Sequence, residues 1–385
     1  MKGAALTSAA GAWFGGAHLL LSDDRWTPNR SYWVTRGRAP LSPPLRGPAR
    51  ADVAIVGAGV TGLSTAIHLL QRSPGLRVAV LEAHYAGFGA TGRSGGVLGA
   101  GTEMGTPEGT ADNVALVTGL IDEYGIDCDL DREHEWIDPY RYAAGLKRAA
   151  ESLGATVHEG TRVTAIRREE RIILSGEGFT LTADRVVAAT NGYTPRLGIA
   201  AARLFPAHTG AAVTVPLPAA VLDALPDDIH VMTSREMYMW GRKAPEGRLL
   251  VGAGASYEYG NGLYYDDDRY LFAALRRCLD RTYEALRDYP FEHAWTGPMG
   301  CTTDQEPILG EESPGLFYAG GYSGHGLAMG TRAGAFMAGW LDGQAPPGWL
   351  LRPTLGLPGE PFRYVGVNMV INLMNLGLVG MPKDD

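Results

Sequence analysis

Three glycines near residue 60 form the clearest candidate for a chemical site. They lie in the run Gly57-Ala-Gly59-Val-Thr-Gly62, after an apolar stretch and before a helical pattern. In this spacing the first glycine permits a tight turn, the second lets a pyrophosphate approach the backbone and the N–H groups of the helix N-terminus, and the third allows close helix–strand packing. Glu82 lies 20 residues after Gly62, where a carboxylate binds a ribose hydroxyl. The pattern predicts a bound dinucleotide.

A second loop of small residues decides which dinucleotide is expected. It reads Gly87-Phe-Gly89-Ala-Thr-Gly92-Arg93-Ser-Gly95-Gly96 and follows Glu82 closely. A nicotinamide enzyme has no use for such a loop at this place, whereas a flavin must bring its ring system and ribityl chain past the backbone. The loop therefore favours FAD, which would carry the difficult chemistry itself.

The same loop resembles the glycine-rich segment of the D-amino-acid oxidase superfamily. Further segments of this chain occur in the order of that family: 137–140, 159–163, 188–193, 295–310 and 317–326. Two segments resemble the γ-glutamylputrescine oxidase-like and glycine-sarcosine oxidase-type amine oxidases. They are the sequence Gly321-Tyr-Ser-Gly-His-Gly326 and the arm around Ser31-Tyr-Trp33. The resemblance implies an α/β (α+β) fold, with a Rossmann-like FAD-binding domain and an interleaved antiparallel-sheet substrate domain.

The glycine turns and the resemblance together give a set of cofactor-binding candidates. They are Gly57, Ala58, Gly59, Thr61, Gly62, Glu82, Ala83, Thr91, Arg93, Ser94, Gly95, Gly96, Val163, Thr190, Asn191, Gly192, Gly321, Tyr322, Ser323, Gly324, His325, Gly326 and Leu327. Relatives that attach FAD covalently do so at about Gly96 or near Gly297, and neither residue is a nucleophile. Cys301 is out of register with the second position, so non-covalent FAD is expected.

The chain divides into interleaved parts. We predict an N-terminal arm over 1–50 and an FAD-binding domain formed by 51–105, 138–200 and 291–342. The substrate domain is expected from 106–137 and 201–290, and a tail with an amphipathic helix from 343–385. The excursion 102–137 is shorter than its counterpart in the family. A reduced lid and a more open pocket are therefore expected, which would admit a bulky or even carrier-bound substrate.

The segment that ends in Gly326 opens a helix whose N-terminus is expected to face the flavin pyrimidine edge, where reduction places negative charge. Some family members have a lysine two residues after the Gly-His-Gly, but here that position is Ala328. For His325, a loop residue held against backbone and cofactor is favoured over a catalytic group.

No catalytic residue is certain from the sequence, and the candidates are Tyr238, Trp240, Arg242, Met299 and Tyr322. In amino-acid oxidases of the family an arginine that pairs with the substrate carboxylate falls at the position of Met299, and a methionine cannot make that bidentate contact. Arg242 is an alternative carboxylate partner, although an exposed strand-end arginine is the favoured interpretation. Tyr238 and Trp240 share a strand face and either wall the pocket or pack in the core.

The leading functional hypothesis is oxidation of a C–N bond in an amine or amino-acid derivative. Hydride transfer to flavin N5 would give an imine, and O2 would accept the electrons as hydrogen peroxide. One alternative is a dehydrogenase that passes electrons to a quinone or a protein. The other is a flavin-holding subunit that needs a partner chain to complete its site.

Composition and the two ends of the chain indicate which partners and which cellular compartment to expect. The net charge of −8 argues against nucleic-acid binding, and three scattered cysteines favour a reducing cytoplasm without a disulfide framework or a metal site. Residues 3–21 are apolar but lack a clean cleavage site, so a loose extension packing on the body is favoured over a signal peptide. The C-terminal helix lacks lysines on its polar face, which disfavours a membrane. It is expected to pack on the body or on a second subunit of a homo-oligomer.

Overall fold

The computed structural model describes residues 31–232, 238–263 and 269–375, without the side chains of 230–232, 238, 269–270 and 374–375. Its first half contains α1 Tyr32–Thr35, β1 Gly47–Val56, α2 Val60–Arg72, β2 Val78–Leu81, α3 Asn113–Glu123, α4 Pro139–Ser152, β3 Thr156–His158, β4 Ala165–Arg168, β5 Ile172–Gly176 and β6 Phe179–Ala188. Its second half contains β7 Phe205–Thr214, α5 Ala219–Asp223, β8 Asp228–Met232, β9 Tyr238–Ala244, β10 Arg248–Ser256, α6 Arg269–Thr282, β11 Phe291–Cys301, β12 Ile308–Ser313, β13 Leu316–Gly320, α7 Ala328–Leu341 and α8 Phe362–Asn375.

The first sheet is mostly parallel and has the strand order β12-β13-β6-β1-β2-β3, with β5 paired to β6 and β4 to β5. Strand β1 pairs in parallel with both β2 and β6, and β13 continues the parallel set beyond β6. The apolar run of β1 is buried on both faces, with Val53 and Ile55 on one side and Ala54 and Val56 on the other. The loops that leave β1, β2, β6 and β13 consequently meet at one edge of the sheet, where ligands of doubly wound folds bind.

Helices α2, α4 and α7 cover one face of this sheet, and α3 packs against α7 and α4. Asp138 caps α4, because its carboxylate accepts the N–H groups of Tyr140 and Arg141, each at 3.0 Å. Val117 and Leu120 of α3 belong to the core between these helices and the parallel sheet. Residues 106–137 were expected in the substrate domain, yet their helix packs on the parallel-sheet side.

The second sheet is antiparallel, with the order β11-β7-β10-β9-β8. One face is covered by α6, whose Phe272 and Leu275 pack with Ala212 and Leu249. The other face turns towards the first sheet. Strand β11 pairs with β7 along its length, so the chain returns to the parallel sheet at Ile308 and not at residue 291 as expected. The domain boundaries otherwise stay a prediction.

The N-terminal arm is firmly packed where the structure describes it. Trp33 is fully buried and Tyr32 nearly so, and the hydroxyl of Tyr32 donates to the carbonyl of Pro245 at 3.1 Å. Strand β1 begins at Gly47, before the arm was expected to end. The predicted extension over residues 3–21 lies outside the described residues.

Helix α8 packs against the end of β10 through Asn368, which accepts the N–H of Tyr257 at 2.9 Å and donates to its carbonyl at 2.8 Å. Its outer face presents Phe362, Val365 and Met369, which are 73%, 61% and 57% exposed. The proposed homo-oligomer contact through this helix stays a prediction. Among the described residues, no helix combines the length and apolar character needed to cross a bilayer.

Candidate active site

A cavity of about 990 Å³ begins at the carboxyl edge of the parallel sheet and ends against the inner face of the antiparallel sheet. Its first half is lined by the loops after β1, β2, β6 and β13. Its second half is lined by residues of β7, β9, β10 and β11. The two sheets therefore supply opposite walls of one continuous space.

The glycine turn after β1 has the geometry that its spacing predicts. Gly57 has φ +104°, a left-handed conformation that disfavours a side chain. A β-carbon at Gly62 would lie 2.0 Å from the carbonyl oxygen of Gly57, so only glycine lets α2 start this close to β1. Gly59 is the N-cap residue of α2 and lines the cavity. The N-terminus of α2, where the N–H of Val60 donates to the Thr91 hydroxyl at 3.3 Å, thus lies at the cavity, and its dipole favours a phosphate there.

Glu82 lies at the end of β2 and lines the same part of the cavity. Its two carboxylate oxygens accept the N–H groups of Ala58 and His84, both at 2.9 Å. Burial raises the pKa of Glu82, and these two hydrogen bonds oppose the rise because they favour the carboxylate. The side chain is held beside the glycine turn, as a ribose-binding acid requires.

Two buried indoles fix the small-residue loop after β2. The Nε1 of Trp33 donates to the carbonyl of Ser94 at 2.8 Å, and that of Trp295 donates to the carbonyl of Arg93 at 2.9 Å. The Arg93 guanidinium donates to the carbonyls of Phe88 and Thr296, both at 3.0 Å. The arm and the antiparallel sheet therefore hold this loop from both sides.

The segment after β13 is tied to the segments after β1 and β6. The side-chain oxygen of Asn191 accepts the N–H of Gly321 at 2.9 Å, and the hydroxyls of Tyr322 and Thr61 are 2.9 Å apart. Burial raises the pKa of Tyr322 well above its ordinary value, so this phenol is a neutral hydrogen-bonding group. Helix α7 starts next to the cavity, just after Leu327.

Most predicted cofactor residues line the cavity. They are Gly57, Gly59, Thr61, Glu82, Ala83, Thr91, Arg93, Ser94, Gly95, Gly96, Val163, Thr190, Asn191, Tyr322, Ser323, Gly324, His325, Gly326 and Leu327. Ala58, Gly62, Gly192 and Gly321 are not part of the lining. They lie behind the lining: a β-carbon at Gly192, for example, would lie 3.2 Å from backbone atoms of Met299 and Gly300, closer than an ordinary contact.

The predicted substrate residues separate into two groups. Trp240, Met299 and Tyr322 line the cavity, whereas the side chain of Tyr238 lies outside the described part of the chain. Trp240 is partly buried and fits between Gly95 and Gly252, where a β-carbon would lie 2.6 Å and 2.1 Å from its ring atoms. Trp240 therefore walls the pocket and also packs tightly.

Arg242 is neither an exposed strand-end residue nor a cavity residue. It is 3% exposed, and its guanidinium donates to the carbonyls of Gly95 at 2.6 Å, Ile137 at 3.0 Å and Lys243 at 3.1 Å. Burial lowers the pKa of Arg242 to about 10, and the nearby Asp138 opposes that shift. The expectation of an exposed side chain is wrong, because loops distant in sequence close over this strand. A role as substrate-carboxylate partner also has no support from its position.

Two acids that the sequence did not single out also line the cavity. Glu103 belongs to the loop before α3, and Asp228 is an exposed residue at the start of β8. The Nδ1 of His325 lies 3.0 Å from the Oε2 of Glu103. Position in a glycine-rich loop was the one available signal for Glu103. Among the described residues, no group of three or more His, Cys, Asp or Glu side chains suits a metal ion.

Comparison with known proteins agrees with this geometry. The sequence matches the profile of the family described as FAD dependent oxidoreductase (DAO) over residues 52–134 and 130–340. The chain belongs to this family. The predicted membership is confirmed, and the chain is an FAD-dependent oxidoreductase. The cavity fits that cofactor, because its first half is a cradle of glycine backbone closed by Glu82 at one end.

Relatives of this DAO-family chain cover most of its length. It is 28% identical over 402 residues to the protein named "Probable oxidoreductase OrdL" of Rhizobium meliloti (strain 1021), covering 86% of this chain and 92% of that protein. It is 26% identical to the gamma-glutamylputrescine oxidoreductase of Escherichia coli (strain K12), covering 76% and 84%. The crystal structure of glycine oxidase from Geobacillus kaustophilus superposes with a TM-score of 0.65 at 23% identity, covering 78% and 96%. That likeness confirms the predicted fold.

Proposed function

We propose that this protein oxidises a C–N bond of an amine or amino-acid derivative. The observation that carries the proposal is the continuity of the cavity from Gly59 and Glu82 to a pocket walled by Trp240 and Met299. If FAD fills the first half of the cavity, its reactive end lies against that pocket. The relatives named for γ-glutamylputrescine and glycine support the same substrate class.

The cofactor-binding set proposed for this chain is the group of predicted residues that lines the cavity. Bound there without a covalent link, FAD would accept at N5 the hydride that leaves the carbon next to nitrogen. The amine nitrogen loses a proton to solvent in the same oxidation, and water then hydrolyses the resulting imine to a carbonyl compound and a free amine. O2 is the proposed final acceptor and becomes hydrogen peroxide.

The residues of the chain have three tasks in this reaction. Trp240 and Trp295 give the pocket aromatic walls that exclude water from the reacting carbon. The N-terminus of α7, beside Gly326, supplies a positive dipole end where negative charge develops on the cofactor. Tyr322 and Asn191 hold the segment that positions this helix.

Met299 argues against small amino acids held by their carboxylate. It lines the cavity, at the position where the resemblance places an arginine in the amino-acid oxidases, and Arg242 donates to backbone carbonyls. A substrate carboxylate would lack a charge-assisted contact worth about 1.5–3 kcal/mol per hydrogen bond. We therefore propose an elongated amine over glycine, sarcosine or D-alanine. The highest kcat/KM for sarcosine or a D-amino acid in a substrate panel would contradict this preference.

The electron acceptor is tested separately. The purified yellow protein is reduced by a panel of amines without oxygen, and the reduced protein is then mixed rapidly with oxygenated buffer. Fast return of the oxidised spectrum with formation of peroxide supports an oxidase. Slow return, with fast return on adding a quinone, supports the alternative dehydrogenase. The third alternative is a flavin-holding subunit that needs a partner chain. It would be supported if no amine reduces the bound flavin until a partner chain is added.

A further inference from the structure

Glu103 is held in a tight turn at the side of the cavity. The N–H of Thr102 donates to the carbonyl of Gly105 at 2.7 Å, and the Thr102 hydroxyl donates to Glu306 at 2.8 Å. These bonds fix the backbone on which Glu103 stands. The Glu103 side chain is only 10% exposed and lines the cavity. A carboxylate is therefore presented to the ligand space from a rigid and mostly buried position.

The position of Glu103 along the cavity is given by His325. The His325 ring lies 3.0 Å from the Glu103 carboxylate through its buried Nδ1. His325 belongs to the loop that opens α7, and its N–H donates to the carbonyl of Tyr322 at 2.9 Å. Glu103 therefore lies beside the reactive end of the proposed cofactor site and away from the ribose end marked by Glu82. Among the described residues, no Lys or Arg side chain forms an ion pair with Glu103.

The remaining charges of the cavity are distributed unevenly. The described cations in the lining are Arg93, Arg162 and Arg196, and all three come from loops of the parallel-sheet side. Arg93 donates to two carbonyls, and Arg162 lies 3.0 Å from the ring of His84, next to Glu82. The described lining residues of the antiparallel sheet include Asp228 but no cation. The described lining of the substrate half consequently offers a carboxylate and no Lys or Arg side chain, while the buried guanidinium of Arg242 lies behind this lining and donates to Gly95.

We propose that the substrate carries a second, positively charged group besides the amine that is oxidised, and that Glu103 binds this group. This inference deepens the proposed function and rests on it. The amine that loses hydride must be neutral, whereas a carboxylate stabilises the charged form of an ammonium group beside it. Glu103 therefore suits the distal ammonium of a diamine-like substrate better than the reacting nitrogen. Asp228, exposed at the rim, adds attraction for the same charge.

The test compares two probes of matched length, putrescine and n-butylamine. Dissociation constants come from the change in flavin absorbance on binding, and reduction of the flavin is followed without oxygen. We expect putrescine to bind at least about tenfold more tightly than n-butylamine, as one charge pair in a partly buried site predicts. Glu103→Gln should reduce this ratio to about threefold or less. Glu108→Gln, which removes an exposed charge from the same segment, is the matched control and should keep the ratio.

Each outcome of this test has one meaning. Equal binding of putrescine and n-butylamine, or a ratio that Glu103→Gln leaves intact, overturns the role of Glu103 even when amines reduce the flavin. A preference for putrescine that is lost in Glu103→Gln, without reduction of the flavin by any amine, supports the cation site and contradicts the proposed function. If Glu103→Gln binds flavin and keeps the melting temperature of the unaltered protein, misfolding is excluded as the cause of a lost preference for putrescine.

Discussion

Gly95 and Trp240 meet across the boundary between the two sheets, and the contact leaves no room for a side chain at residue 95. A β-carbon there would lie 2.6 Å from one ring carbon of the indole and 2.8 Å from another. The indole cannot retreat, because a β-carbon at Gly252 on its other side would lie 2.1 Å away. The flavin loop and the substrate wall therefore form one packed unit.

Gly95→Ala is expected to displace either the loop or the indole. The overpacking should cost about 1–3 kcal/mol of folding free energy and reduce the FAD content of the purified protein. Differential scanning calorimetry and the ratio of flavin to protein absorbance measure the two effects. Adding Trp240→Phe, which replaces the indole with a smaller ring, should restore part of the stability and part of the FAD content. A Gly95→Ala protein with normal stability and normal FAD content would show that the contact yields easily.

The FAD is expected to leave the protein completely on denaturation. Gly96 and Gly297 offer no nucleophile to the cofactor, and Cys301 is 7% exposed and absent from the cavity lining. Burial raises the pKa of Cys301 to about 12, so its sulfur remains a thiol at neutral pH. Precipitation with acid should release all the yellow colour into the supernatant. Colour that stays in the washed pellet would contradict non-covalent binding.

Substitution of Arg242 should change stability and not substrate preference. Arg242→Met keeps much of the volume but leaves the carbonyls of Gly95 and Ile137 without their donor. The expected loss is about 3 kcal/mol in the free energy of unfolding by urea. Arg132→Met, which removes a 57% exposed arginine, should change stability by less than about 0.5 kcal/mol. Selective loss of activity towards carboxylate-bearing substrates in Arg242→Met would instead restore its role at the substrate.

His208 should make the fold less stable in acid. Burial lowers the pKa of this β7 residue from 6.5 to about 4, so the unfolded chain binds a proton at a higher pH than the folded protein. The stability it contributes is therefore complete above about pH 6.5 and is lost as the pH falls towards 4. Between about pH 7 and pH 4.5 the loss should be about 2 kcal/mol. The free energy of unfolding of His208→Gln should fall by about 2 kcal/mol less between pH 7 and pH 4.5. If the stability of the two proteins changes equally with pH, this effect of His208 is excluded.

The sequence predicted those features that depend on short spacing. The turn at Gly57, the close approach at Gly62 and the acid at Glu82 follow from local backbone geometry, and the structure shows each of them where expected. The return to a helix after Gly326 belongs to the same class. Such features need no knowledge of which distant segments will pack together.

Features that depend on distant packing were missed or misplaced. The carbonyls that bind Arg242 lie 105 and 147 positions away in sequence, so nothing near this residue indicated its burial. Gly297 and Pro298 weaken the strand pattern of β11, yet both are paired with β7. Glu103 resembles any solvated loop acid until His325 comes beside it from the far end of the chain.

The order of the strands has a consequence for synthesis on the ribosome. Strand β13 lies parallel to β6 in the first sheet, although the whole antiparallel sheet is encoded between them. The growing chain must therefore carry an unfinished sheet edge at β6 while β7 to β11 emerge, and such edges favour aggregation until they are covered. The loop after β13 and the start of helix α7 complete the cofactor cavity, so FAD can be captured only after these late segments have emerged.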